Sequence, residues 1–165
     1  MNMERNAPGI WIPALIGGAG LGFLSGLPYI SCGCCAFAVG AGFLGAFLYS
    51  KECNKAAFPF GAAAGAKIGL VAGFIHGIVQ WIVGTVSNRL MGGEQAVADA
   101  IAQIESNPDI PPEFADMLVR FFEFMASAGA VVVYVVFGVV FAIIGGLIGG
   151  AVFKVEPAVP SEPAS

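Results

Sequence analysis

Apolar residues gather into four long runs along this chain, divided by short polar breaks. The first run covers about residues 9–27 and stops at Pro28, where a helix is expected to break. The second covers about 30–49, the third about 58–85 and the fourth about 126–153. Lys51, Glu52, Asn54 and Lys55 read as a short polar loop between the second and third runs. Each run holds roughly 19 residues or more, and about 20 helical residues at about 1.5 Å rise cross about 30 Å of hydrocarbon. The pattern predicts an all-α integral membrane bundle of four transmembrane helices. The turn after the first helix is very short, so the first two should form a tight antiparallel hairpin.

Between the third and fourth runs the pattern changes to that of a surface helix. Val97, Ala100, Ile101 and Ile104 share one helical face, and so do Phe114, Met117, Leu118, Phe121, Phe122 and Met125. Asn107-Pro108-Asp109-Ile110-Pro111-Pro112 separates the two stripes. Residues 87–125 therefore read as an insert of two short amphipathic helices around a proline turn. It is expected to cap the bundle, because helices that lie in a membrane surface usually carry Lys and Arg on their polar face. Residues 154–165, with Pro157, Pro160 and Pro163, read as a disordered tail.

Composition agrees with burial in lipid. Hydrophobic residues make up 58% of the chain and charged residues 11%, too few charges to cover a water-facing surface. The net charge of −4 is unevenly spread: residues 87–126 carry −5 and the rest +1. No basic patch is present, so nucleic acid is excluded as a partner. Four spans put residues 1–8, the 51–55 loop and the tail on one side, with Arg5, Lys51, Lys55, Lys154 and a snorkelling Lys67; only Arg89 and Arg120 lie on the other. The positive-inside rule then places both termini in the cytoplasm. A cleaved signal fits the first run poorly, because no small-x-small site precedes a polar start.

Glycine spacing is the most specific signal. Gly61, Gly65, Gly69, Gly73 and Gly77 recur every four residues in the third run, and Gly18, Gly22 and Gly26 do so in the first. The fourth run carries Gly138, Ala142, Gly146 and Gly150 in the same way. Residues four apart share a helix face, and small residues there let helix backbones approach in lipid, where little hydrophobic drive exists between helices. These rows are expected to face other helices. Three spans also share the pattern G-F-[LI]-x-[GA], read as similar packing rather than duplication.

Two polar features lie at membrane depth. His76, the single histidine, and Gln80 are one turn apart and fall within the arc of the glycine row, so both should point into the bundle. They could form a polar point on a proton or solute path; the plainer reading is an interhelical hydrogen bond, to Ser25 or Tyr29 for example. Cys32, Cys34 and Cys35 form a C-x-C-C cluster that could bind metal or undergo redox chemistry, or could simply pack as small apolar residues. Phosphate-loop, zinc-protease and serine-hydrolase motifs are missing from the sequence. No catalytic residue and no cofactor are therefore assigned.

Leu24-Ser25-Gly26-Leu27-Pro28-Tyr29, then Cys32-Gly33-Cys34-Cys35 and a Gly/Ala-rich run, resembles the first hairpin of small uncharacterised multi-pass membrane proteins of bacteria. The resemblance covers about the first 50 residues. It implies the bacterial inner membrane and carries no catalytic residue. The expected function is non-enzymatic: a glycine-packed bundle that self-associates or scaffolds other membrane proteins. The alternatives are a small transporter or channel subunit using His76 and Gln80, and a thiol-based redox or metal-handling protein.

Overall fold

The computed structural model describes residues 7–27, 33–127 and 129–156. Among them lie six helices and no strand: α1 (Trp11–Ser25), α2 (Cys34–Lys55), α3 (Ala62–Leu90), α4 (Gly93–Ser106), α5 (Pro112–Ala126) and α6 (Ala130–Val152). The protein is all-helical. Two of the helices, α3 and α6, are long and apolar enough to cross a membrane, and α1 is a shorter apolar helix.

Helices α1, α2, α3 and α6 pack as one bundle, alternating in direction. Gly18 and Gly22 of α1 back onto Ala72 and His76 of α3, so those two helices run parallel. Along the α3–α6 seam Gly65, Gly69, Gly73 and Gly77 meet Gly146, Ala142, Gly138 and Tyr134, so that pair is antiparallel. Helices α2 and α3 also touch each other, whereas α1 and α6 occupy opposite corners. One end of the bundle thus gathers the start of α1, the end of α2, the start of α3 and the end of α6.

That end differs from the sequence expectation in two places. Residues 51–55, expected as a loop, continue α2 to Lys55. Lys and Glu are good helix formers, and Lys55 pairs with Glu52 across one turn at 2.8 Å, while the Lys51 ammonium sits 4.4 Å from the centre of the Phe47 ring. The connection to α3 is consequently shifted to residues 56–61. Residues 154–156, expected to belong to the disordered tail, are held against the bundle. Phe60 and Val155 exchange both backbone hydrogen bonds, each 3.0 Å, in an isolated antiparallel bridge. Phe153 holds the chain there by packing on Phe43 and Phe47, with ring centres 5.2 and 5.0 Å apart. The remainder of the tail, like Arg5, Pro28, Tyr29 and Cys32, lies outside the described residues.

At the opposite end α3 continues to Leu90, beyond the expected limit of 85. Gly92 then adopts a left-handed conformation, φ +72°, which turns the chain into α4 and which a side chain would oppose. Asn107 closes the turn between α4 and α5 by accepting the Asp109 N–H at 3.0 Å. Pro112 opens α5, where its fixed φ suits the first helical position. The helical insert rests against the ends of α3 and α6. The apolar stripe of α5 is divided between two environments. Leu118, Phe122 and Met125 are half-buried, whereas Phe114, Met117 and Phe121 are exposed.

Side-chain size is distributed in the reverse of a water-soluble bundle. The interior is mostly glycine and alanine: Ala14, Ala41, Ala46, Ala72 and Ala142 are fully enclosed, and the largest fully buried side chains are Ile68, His76, Cys53 and Ser25. The large apolar side chains face outward, with Leu15 at 55%, Phe74 at 51% and Val140 at 50% exposure. A soluble bundle would bury such residues, since each is worth about 1.5–3 kcal/mol when removed from water.

Candidate functional site

The polar point within the bundle lies on α3 where that helix is pressed between α1 and α6, and glycine creates the close approach. A Cβ placed on Gly22 would lie 2.8 Å from the His76 carbonyl oxygen and 3.1 Å from its Cα. One placed on Gly26 would lie 2.7 Å from Val83 Cβ and 3.1 Å from the Gln80 oxygen of the backbone. Helix α1 therefore lies directly on the α3 backbone around His76 and Gln80. The α6 side is equally close: a Cβ at Gly73 would come within 2.5 Å of the Gly138 oxygen, and one at Gly77 within 2.6 Å of the Tyr134 oxygen.

His76 is 0% exposed and lies beside the Gln80 side chain; among the described residues neither Nδ1 nor Nε2 makes a hydrogen bond of good geometry. Gln80 is also buried. Ser25, considered from sequence as a partner for His76, instead donates its hydroxyl to the Gly22 carbonyl of its own helix at 3.1 Å. Tyr29 lies outside the described residues. A neutral polar group without a good hydrogen bond in such a place costs about 1–3 kcal/mol, so the ring is the least satisfied feature of the bundle interior.

The cysteines are dispersed. Cys35 is exposed at the start of α2, and Cys53 is buried near its end. Their separation of 18 residues along one helix corresponds to about 27 Å, so they cannot share a site. Cys32 lies outside the described residues, and so does the side chain of Cys34. Among the described residues no group of three potential metal ligands comes together.

The glycine rows are engaged within the chain itself. Gly18, Gly22 and Gly26 abut α3; Gly65, Gly69, Gly73 and Gly77 abut α6; Gly138 and Gly146 abut α3 in return. Gly61 differs from the others in its row. It precedes α3 in an extended conformation, a Cβ there would meet nothing, and it contributes only its carbonyl oxygen, 2.6 Å from a Cβ placed on Gly150.

A second set of contacts uses glycines beside these rows, Gly145 and Gly149 among them, to which the sequence assigned no partner. Gly17 faces Ala41 and Gly45 of α2, Gly145 faces Val39, and Gly149 faces Ala46 and Phe43. Each belongs to a doublet: Gly17-Gly18, Gly145-Gly146 and Gly149-Gly150. Adjacent helical residues point about 100° apart, close to the angle between two neighbours of a corner helix. One glycine of each doublet therefore serves α2, and the other serves the α3 side. The doublets are the signal that could have revealed this.

Comparisons with family models, with curated proteins and with solved structures found no match.

Proposed function

We propose that this chain is a non-enzymatic, polytopic protein of the bacterial inner membrane. It spans the bilayer four times through α1, α2, α3 and α6 and keeps both termini in the cytoplasm. The carrying observation is the inverted distribution of side-chain size, with glycine and alanine inside and Leu15, Phe74, Val140 and their neighbours outside. Water would oppose that arrangement and hydrocarbon would not. The alternating directions of the four helices support the assignment of α1 and α2 as spans. The exposed Lys51, Lys55, Lys67 and Lys154 gather at the end where α1 starts and α6 finishes, which favours the cytoplasm for it.

The role proposed is that of a compact scaffold. Its glycine seams are consumed in closing the bundle, so self-association or the binding of another membrane protein would use the outer apolar faces of α1, α3 and α6. A second reading, a small transporter subunit, draws on one observation: the fully buried His76 ring beside Gln80, with no hydrogen bond of good geometry among the described residues.

Topology reporters test the membrane arrangement. A phosphatase active only outside the cytoplasm should be active when joined after Pro108 and silent when joined after Ala57 or at the C-terminus. A cytoplasmic fluorescent reporter should give the reverse. Phosphatase activity at the C-terminus would contradict the four-span topology.

A further inference from the structure

Helix α5 carries three lengthwise strips. Leu118, Phe122 and Met125 form the half-buried one, turned to the bundle. Beside it Phe114, Met117, Phe121 and Phe124 recur at spacings of three and four residues and are exposed. Glu113, Asp116, Arg120 and Glu123, also exposed, complete the turn. The middle strip is thus apolar, and nothing among the described residues covers it.

Its position is set by the α5–α6 junction. Ser127 Oγ donates to the Phe124 carbonyl at 2.6 Å and accepts the Gly129 N–H at 3.1 Å. The Phe124 ring lies against Gly129, where a Cβ would meet its Cε2 at 3.0 Å. Gly129 heads a row that continues along one face of α6 through Val132, Val136 and Val140, all exposed. The α5 strip therefore runs into the outer apolar face of α6. Phe122 and Met125 line a common cleft with Thr85 of α3 and Tyr134 of α6, so this half of α5 stands beside those turns and not beyond them.

We propose that the strip from Phe114 to Phe124 is seated in a surface of zwitterionic phospholipid, at the level where α6 enters the bilayer. Phe-rich helix faces enter the boundary between headgroups and acyl chains to a depth of about 5–10 Å. The charged strip selects the lipid. Glu113, Asp116 and Glu123 outnumber Arg120, so attraction to anionic headgroups is absent and apolar contact alone seats the helix. Continuity with the valine row favours lipid over a second copy of the chain, which would have to cover that row as well.

The proposal rests on the four-span reading, which puts α6 in the bilayer. In a protein carrying Trp11→Phe and Trp81→Phe, one tryptophan is returned at a time by Phe121→Trp, Asp116→Trp or Val136→Trp. Each protein is reconstituted in phosphatidylcholine vesicles containing phosphatidylcholine brominated near the top of its acyl chains. Strong quenching is expected at positions 121 and 136, with little at 116. Adding Phe114→Glu and Met117→Glu should abolish the quenching at 121. Quenching at 136 without quenching at 121 would overturn the proposal and leave the four spans standing. Quenching at 121 without quenching at 136 would support the seat of α5 and contradict the spans, and quenching at neither would overturn both. Equal quenching at 116 and 121, or quenching at 121 that survives the two glutamates, would also overturn the proposal. So would a blue-shifted, unquenched emission at 121 that reddens as the protein is diluted in lipid, which would assign the strip to a second copy.

Discussion

Replacing Gly73 with leucine should destabilise the protein by about 3 kcal/mol, while the same change at Gly20 should be neutral or stabilise it by up to about 1 kcal/mol. Both are glycines in apolar helices, so composition does not separate them. Contact geometry does. A Cβ at Gly73 would fall 2.5 Å from the Gly138 oxygen and 2.6 Å from Val139 Cα. Backbone atoms on a packed helix cannot swing aside as a side chain can, so α3 and α6 would have to separate. The loss would spread along the seam, because Gly69 and Gly77 depend on the same interhelical distance. Gly20 lies on the exposed side of α1, with nothing within 4 Å of its Cβ direction. Leucine there removes the helix cost of glycine and adds a side chain to an already apolar surface. Unfolding in mixed micelles, followed by circular dichroism as the denaturing detergent fraction rises, measures both. Equal effects at the two positions would show that the seam is not what holds the bundle together.

The second large effect is expected at His76, and its sign distinguishes the two functional readings. His76→Leu should stabilise the bundle by about 1–3 kcal/mol, because it removes two buried polar atoms that make no hydrogen bond of good geometry among the described residues and leaves a side chain of similar size. His76→Ala should destabilise it by about 2 kcal/mol, since the side chain is fully buried and its removal leaves a cavity. The same detergent titration reads both variants. If His76→Leu is instead destabilising, the imidazole is hydrogen-bonded in the working protein, through water or a partner, and the transport reading gains at the expense of the scaffold. A proton flux in proteoliposomes that disappears in a stable His76→Leu protein would favour transport directly.

Helical class was legible from the sequence because long apolar runs and four-residue glycine spacing are local properties. The partner of each glycine row was not. Nothing in Gly65, Gly69, Gly73 and Gly77 alone says that they meet α6 and not α1; that follows from the register of two distant segments. The doublets did carry this information, since two adjacent glycines serve two neighbours. Residues 51–55 were misread as a loop because polarity was taken to mark the end of the helix. Polarity there marks the end of the apolar section, while the α2 backbone continues through Lys55. The bridge between Phe60 and Val155 had no local signature, as it joins residues 95 positions apart in the chain. In the insert the stripes on α4 and α5 were visible, but the division of the α5 stripe into half-buried Phe122 and exposed Phe121 depends on where the bundle end stands. His76 stood out as an ionisable residue in an apolar run; its lack of a good hydrogen bond required the positions of Ser25 and the α1 backbone.

The central claim is that the outer faces of α1, α2, α3 and α6 meet lipid. Nitroxide labels placed singly at Leu15, Leu44, Phe74 and Val140 in a cysteine-free protein, reconstituted in bilayers, test it most directly, with Lys55 and Asp109 as aqueous references. The account predicts frequent collisions with oxygen and few with a water-soluble nickel complex at all four apolar positions, and the reverse at Lys55 and Asp109. If the nickel complex reaches Leu15, Leu44, Phe74 and Val140 as readily as it reaches Lys55, these faces lie in water and the four-span account is wrong.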